Sequence, residues 1–224
     1  MTGAETMGRD IRFYVDSADV GAVSDLVVDN LVHGVTTNPT ILERAGRSVG
    51  DIPALYERWE AEGAREIFFQ TWGDSTDAML RNANGILSLG DLAVVKVPAT
   101  RSGFAAASAL VSEGASVLIT AVYSQAQALT AATIGVRYIA PYLGRLRDAG
   151  RDGVAEIAAM QALIEGTGTD VLAASLRSPS DVVALAEVGV PFFTAAPSVL
   201  AACFVSDASE NAAAEFEAAV ERGV

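Results

Sequence analysis

A chain of 224 residues that is 51% hydrophobic and carries a formal charge of −13 has the apolar surface for one large domain or two small ones, which excludes a disordered tail. The acidity argues against a nucleic-acid partner, whose phosphates need clustered Lys and Arg. A single cysteine, Cys203, permits no internal disulfide, and with a single histidine, His33, it cannot build a zinc site, so no metal is assigned. The opening MTGAETMGRD has neither a basic start nor an apolar stretch, so no signal peptide is expected and residues 1–10 read as a flexible segment. No apolar run approaches the roughly 18–20 residues of a membrane span, and a cytoplasmic location is the expectation.

From there short apolar runs alternate with helix-period segments. In chain order the expected strands are Ile11–Val15, Gly34–Thr37, Ile67–Gln70, Ala93–Val97, Val117–Thr120, Tyr138–Ala140, Val171–Ala174 and Phe192–Ala195. The helical patterns between them are Asp19–Leu31, Asp51–Glu62, Gly103–Ser112, Ser124–Ile134, Gly153–Glu165 and Pro179–Glu187. Eight strands with helices between them predict a single-domain (β/α)₈ TIM barrel over residues 11–206, followed by a C-terminal helix over 207–224. An open doubly wound sheet is the competing architecture, but its glycine-rich phosphate fingerprint is missing from the sequence.

A barrel aims the C-terminal ends of its strands at one point. Those ends read Asp16, Thr36-Thr37-Asn38, Gln70, Lys96, Thr120, Tyr142 with Arg145, and Ser175 with Arg177. Lys96 is the sharpest signal among them. It is the only lysine beside fourteen arginines, and it lies inside the apolar strand LAVVKVPA. A lysine offers what arginine does not, a primary amine that can lose its proton, and burial favours that loss. The competing reading, an edge-strand gatekeeper or snorkelling lysine, fits poorly with this composition. Arg145 and Arg177 could clamp a phosphate or pair with nearby acids, and both readings stay open at this level. Asp19 reads as a helix cap rather than a metal ligand beside Asp16. His33, in NLVHGVTTNP, reads as structural, and a Ser-His-Asp hydrolase would need it as the base.

The motifs FYVDSADV, GVTTNPTIL, VVKVPAT, ITAVYSQAQAL, YIAPYLGRL and VLAASLRSP resemble, in this order, the transaldolase family, and most closely its short bacterial fructose-6-phosphate aldolase branch. The resemblance implies a TIM barrel, no cofactor, no metal, and class I aldol chemistry on sugar phosphates with Lys96 as the Schiff-base residue. It gives Asp16 the acid/base role and assigns Gln70, Thr120 and Tyr142 to water and proton handling. Asn38 and Ser175 would hold the dihydroxyacetone unit, with Thr36 beside them in the same motif, and Arg145 and Arg177 would receive the phosphate. Glutamine at position 70 and tyrosine at position 142 follow the aldolase branch, so release of dihydroxyacetone is the expectation and transfer to an aldose phosphate the alternative. The resemblance also implies a homo-oligomer, pentamer or decamer. The eighth strand, FFTAAPSVL, departs from the aldolase pattern at Ala195, Ala196 and Ser198, and the C-terminal tail is shorter than in ring-forming members. A non-covalent phosphate-binding barrel isomerase, or a catalytically silent barrel, would be the reading without an imine.

Overall fold

The computed structural model describes residues 10–223. Eight parallel strands, β1 (Arg12–Asp16), β2 (Gly34–Thr36), β3 (Glu66–Gln70), β4 (Ala93–Pro98), β5 (Val117–Val122), β6 (Tyr138–Pro141), β7 (Asp170–Leu176) and β8 (Phe192–Ala195), follow one another around a closed barrel. Closure is made by β8 against β1, with Arg12 to Val15 opposite Phe192 to Ala195. The helices are α1 (Val20–Val28), α2 (Pro39–Arg44), α3 (Ile52–Ala61), α4 (Thr76–Leu87), α5 (Arg101–Ser112), α6 (Gln125–Ile134), α7 (Leu143–Asp148), α8 (Gly153–Ile164), α9 (Pro179–Glu187), α10 (Pro197–Phe204) and α11 (Asp207–Glu221). The expected (β/α)₈ architecture is therefore the observed one. Among the described residues no helix is long and apolar enough to cross a membrane.

The pleat sorts the side chains. Alternate strand residues point to opposite faces, and two separate hydrophobic clusters result. Val15, Val35, Ile67, Phe69, Val95, Val97, Ile119, Ile139, Val171 and Phe193 face outward and pack beneath the helices. Tyr14, Phe68, Val94, Leu118, Tyr138, Ala140, Leu172, Ala174 and Phe192 form the inner cluster. Following the same alternation upward, the next inward positions are Asp16 after Tyr14, Gln70 after Phe68, Lys96 after Val94, Thr120 after Leu118 and Thr194 after Phe192. The apolar interior thus ends in a polar layer at the C-terminal mouth.

Helix starts fix that mouth. Asp19, Ser75, Thr100, Ser124, Asp152 and Ser178 each accept a backbone N–H from the first turn of their helix, which satisfies donors that would otherwise be orphaned. Asp19 is a cap, as its position suggests. Some boundaries differ from the pattern. The first helix stops at Val28 rather than Leu31, because Asn30 takes a left-handed conformation (φ 55°) that the helix cannot continue through. α4 escapes the periodicity because asparagines and a glycine interrupt TDAMLRNANGIL, leaving only Met79, Ala83 and Ile86 buried. α2, α7 and α10 are extra short helices at the mouth, too brief for a periodic signal. The flexible segment expected over 1–10 lies, apart from Asp10, outside the described residues.

The opposite end is closed by a different device. The Tyr14 hydroxyl donates to Glu66 Oε2 (2.6 Å), and the Tyr138 hydroxyl donates to Glu66 Oε1 (2.9 Å) while accepting from Arg137 Nε (2.8 Å). Burial, reinforced by the Glu66 charge, pushes Tyr138 up to about 12 and raises Tyr14 too, so both phenols remain donors. His33 lies at this end, its Nε2 3.2 Å from Arg12 and 3.7 Å from Glu66. Burial, then the Arg12 charge, holds its pKa down and suits it as the acceptor. Glu66→Leu should strand the fully buried Tyr14 hydroxyl and cost about 1–3 kcal/mol. Urea unfolding of the two proteins measures this, and an unchanged midpoint would show the plug to be dispensable.

Candidate active site

A cavity of about 430 Å³ opens at the C-terminal mouth. Asp16, Asn38, Gln70, Lys96, Thr120, Tyr142, Arg145 and Ser175 all line it, eight of the residues that the sequence singles out. They come from seven different strands or the turns after them, brought together by closure rather than by proximity in the chain. Adjacent register sets the closest neighbours: Gln70 stands opposite Lys96, and Asp16 opposite Thr36.

Lys96 is 4% exposed, and among the described residues its amine has no hydrogen-bond or ion-pair partner within reach. Burial lowers its pKa from the ordinary lysine range, and the charge of Asp16 opposes that shift without cancelling it. The outcome is an amine that gives up its proton more readily than an ordinary lysine, as a nucleophile must, at the floor of an open site.

Asp16 is anchored from below. Thr36 donates its hydroxyl to Asp16 Oδ1 (2.6 Å) and also lies 2.6 Å from the buried Thr194 hydroxyl. A hydroxyl has one proton, so Thr36, having donated it to Asp16, accepts from Thr194. Thr36 is therefore a buried support for Asp16 rather than part of the cavity wall, and Thr194 extends the support to β8. On the other side Thr120 Oγ1 lies 2.9 Å from the Tyr142 hydroxyl. Burial raises the Tyr142 pKa, keeping the phenol protonated. Tyr123 meets the Tyr142 ring edge-on at 5.9 Å. Gln127 in turn fixes this wall, accepting from the Tyr123 N–H (2.8 Å) and donating to Ala99 O (3.1 Å).

Asn38 has two roles in one side chain. Its Oδ1 caps α2 by accepting the Ile41 N–H (3.0 Å), which leaves the Nδ2 hydrogens as donors for a bound molecule. Ser175 and Ala121 both hold left-handed backbone (φ 59° and 57°) where their strands shift register, and both line the cavity. Such strain persists where the surroundings overdetermine it, and here it turns the chain away from the barrel at the substrate level. Gly144 must lack a side chain because a Cβ there would come within 2.7 Å of Ser175 O.

Two residues expected at the substrate, Thr36 and Arg177, are not in the cavity wall. Arg177 does not line the cavity: it is exposed, and its two terminal nitrogens grip both oxygens of Asp148, one at 2.8 Å. The clamp reading open to both arginines is met in position by Arg145 alone. Arg44, Thr194 and Ala121 belong to the site or its support, yet none was singled out from sequence. Arg44 carries a usable signal, since it stands three residues beyond Ile41 on a helix that begins at the candidate residue Asn38. With two guanidinium groups, Arg44 and Arg145, against one carboxylate, Asp16, the cavity lining carries a net positive charge without counting Lys96, in a chain of charge −13.

Residues 13–223 match the family described as Transaldolase/Fructose-6-phosphate aldolase. The chain belongs to that family. Members of the transaldolase/fructose-6-phosphate aldolase family perform Schiff-base aldol chemistry on sugar phosphates, and the chain is an enzyme of that class. It is 35% identical to a probable transaldolase of Hyphomonas neptunium over 196 residues, covering 85% of this chain and 88% of that one. With probable transaldolases of Phenylobacterium zucineum and Maridesulfovibrio salexigens the identities are 34% (92% and 94% covered) and 32% (95% and 99% covered). These relatives carry the transaldolase name, so the narrower resemblance to the aldolase branch is not what they support. Thiamine phosphate pyrophosphorylase from Pyrococcus furiosus is similar in structure with a TM-score of 0.58, covering 86% of this chain and 88% of that one; at 16% identity this reflects the barrel fold alone.

The depressed Lys96 pKa has a consequence for stability. Between its folded-state value and the ordinary 10.5 the unfolded chain binds the extra proton, so this contribution to stability rises with pH through that window. Lys96→Met removes the burial penalty. The variant should be more stable than wild type at pH 7, with the gap shrinking as pH approaches 10.5. Urea midpoints of both proteins at several pH values test this; a gap independent of pH would mean that Lys96 titrates as it does in water.

Proposed function

We propose that the protein is a transaldolase, moving a dihydroxyacetone unit from a ketose phosphate to an aldose phosphate through an imine on Lys96. The observation that carries this reading is the buried, unpartnered amine of Lys96 beside Asp16 in a cationic cavity. The Lys96 amine adds to the C2 carbonyl and the adduct loses water to give the imine. Asp16 takes the proton of the C4 hydroxyl, the C3–C4 bond breaks, and its electron pair passes into the iminium to leave an enamine. The shortened aldose phosphate departs. The enamine carbon then attacks the aldehyde of an incoming aldose phosphate, whose oxygen takes the proton from Asp16. Water adds to the new imine, and the lengthened ketose leaves with the Lys96 amine restored. Thr120 and the protonated Tyr142 are the groups available to position that water, and Arg145 is suited to the phosphate.

Gln70 and Tyr142 favour a second reading, in which the enamine is protonated and hydrolysed to free dihydroxyacetone. Gln70 lines the cavity beside Lys96 and, as an amide, can orient a water but cannot take its proton. The relatives' names support transfer instead. One assay separates the two: supply fructose 6-phosphate with and without an aldose phosphate acceptor, and follow dihydroxyacetone and the lengthened ketose separately. Turnover should require the acceptor. Release of dihydroxyacetone at the same rate without an acceptor would make the enzyme an aldolase. Borohydride reduction in the presence of the ketose phosphate should add one sugar fragment to the peptide around Lys96, the only side-chain amine. Lys96→Arg should keep the charge and lose turnover by orders of magnitude.

A further inference from the structure

Among the described residues Arg145 makes no ion pair, so its place in the cavity wall is set by the helix that carries it. That helix, α7, has six residues, too few to persist alone, and Tyr142 at its N-cap gives it no side-chain hydrogen bond. Its hold on the barrel comes from β7 and α9. Gly144, bare of a side chain, lets α7 lie directly on Ser175, itself in the cavity wall. Two ion pairs then cross the seam in opposite senses. Arg147 of α7 donates to Oδ1 of Asp181 on α9, and Asp148 of α7 accepts from Arg177, which directly follows β7. The two differ in setting. Arg177 and Asp148 have side chains 57% and 53% exposed, where an ion pair is worth little. The Asp181 side chain is 5% exposed, and its other oxygen, Oδ2, accepts the Arg177 backbone N–H at 2.7 Å. Burial alone would raise the Asp181 pKa, but the Arg177 N–H and the Arg147 guanidinium outweigh it and hold the carboxylate below its usual range. An acid in the first turn of α9 is ordinary helix chemistry; a bond from it to Arg147, on another helix, is not. One buried charge therefore ties the turn after β7 to the helix of Arg145.

We propose that Asp181 is a positioning residue for the substrate's phosphate: through Arg147 it sets where α7, and with it Arg145, stands in the cavity wall. The inference rests on the reading that Arg145 receives that phosphate. Asp181 is not among the residues that line the cavity and acts only through the helix. Arg145 and Arg147 belong to the same short helix, so a shift of one carries the other. A guanidinium moved off its mark loses paired, charge-assisted donors that depend on fixed geometry.

Isothermal titration with a hexitol 6-phosphate, which has no carbonyl for Lys96, reads the phosphate site apart from catalysis. Asp181→Asn keeps an acceptor for the Arg177 N–H and removes the charge that Arg147 pairs with. It should weaken binding about tenfold, the lower end of what a hydrogen bond to a charged group contributes. Arg145→Ala should weaken binding at least as much. Adding Asp181→Asn to Arg145→Ala should cost nothing more, because residues that act through one contact do not add. In turnover of fructose 6-phosphate, Asp181→Asn should raise KM by a larger factor than it lowers kcat. Unchanged affinity in folded Asp181→Asn protein would overturn the proposal. So would losses that add in the double variant, or a fall in kcat with KM unmoved, since Asp181 would then support the fold at large. If Asp181→Asn does not fold, Arg147→Met, at the more exposed member of the same pair, carries the same expectations. Undiminished affinity in Arg145→Ala would show that the phosphate sits elsewhere, and the reading beneath the proposal would fall with it. A loss in Arg145→Ala without coupling to Asp181 overturns the positioning role alone.

Discussion

An ammonium group enclosed by a ring of hydrogen-bonded strands loses its hydration, and the barrel has supplied Lys96 with no ion-pair partner to compensate. The strands around it exist in part to maintain that condition. Val94 and Leu118 lie in the layer below, Asp16 is near enough to moderate the penalty without cancelling it, and the neighbouring polar groups on that floor, Gln70 and Thr120, are neutral. Each element matters to the site through this constraint. If the inner layer were loosened and water admitted, the amine would hold its proton more tightly, as an ordinary lysine does.

The two ends of the barrel divide the work. At the N-terminal end Glu66 collects Tyr14 and Tyr138 into a closed hydrogen-bonded plug, with polar groups satisfied by one another. At the C-terminal end the polar groups are only partly satisfied: Asn38 caps a helix with its oxygen and keeps its donors, and Tyr142 shares one hydrogen bond with Thr120. Capacity left over is what a ligand can use. The same chemistry thus gives stability at one end and binding at the other, according to how completely each group is partnered.

The barrel was legible because its strands are short apolar runs at regular spacing, and because an arginine-rich chain with one lysine marks that lysine out. Strand-end positions such as Gln70 and Thr120 followed from the architecture, since the pleat and closure together determine where they point. Other features had no local signature. Thr194 supports Asp16 from the far end of the sequence through Thr36, a contact that exists only when β8 closes on β1. Arg177 and Arg145 look equivalent as strand-end arginines, and only the position of Asp148 on the last turn of α7 separates them. Pairing across a fold is decided by tertiary geometry, which one-dimensional periodicity does not encode.

Carbonyl chemistry is indiscriminate toward amines. Reducing sugars and small aldehydes condense with accessible lysines and, over time, leave adducts that cannot be reversed. The family's substrates are such carbonyl compounds, and this chain meets its needs for surface positive charge with fourteen arginines, whose protonated guanidinium groups do not form imines. The one side chain that can react is buried at the bottom of the cavity. The protein's surface therefore offers carbonyl compounds no lysine amine to glycate, and the single lysine able to form an imine is set back inside the cavity.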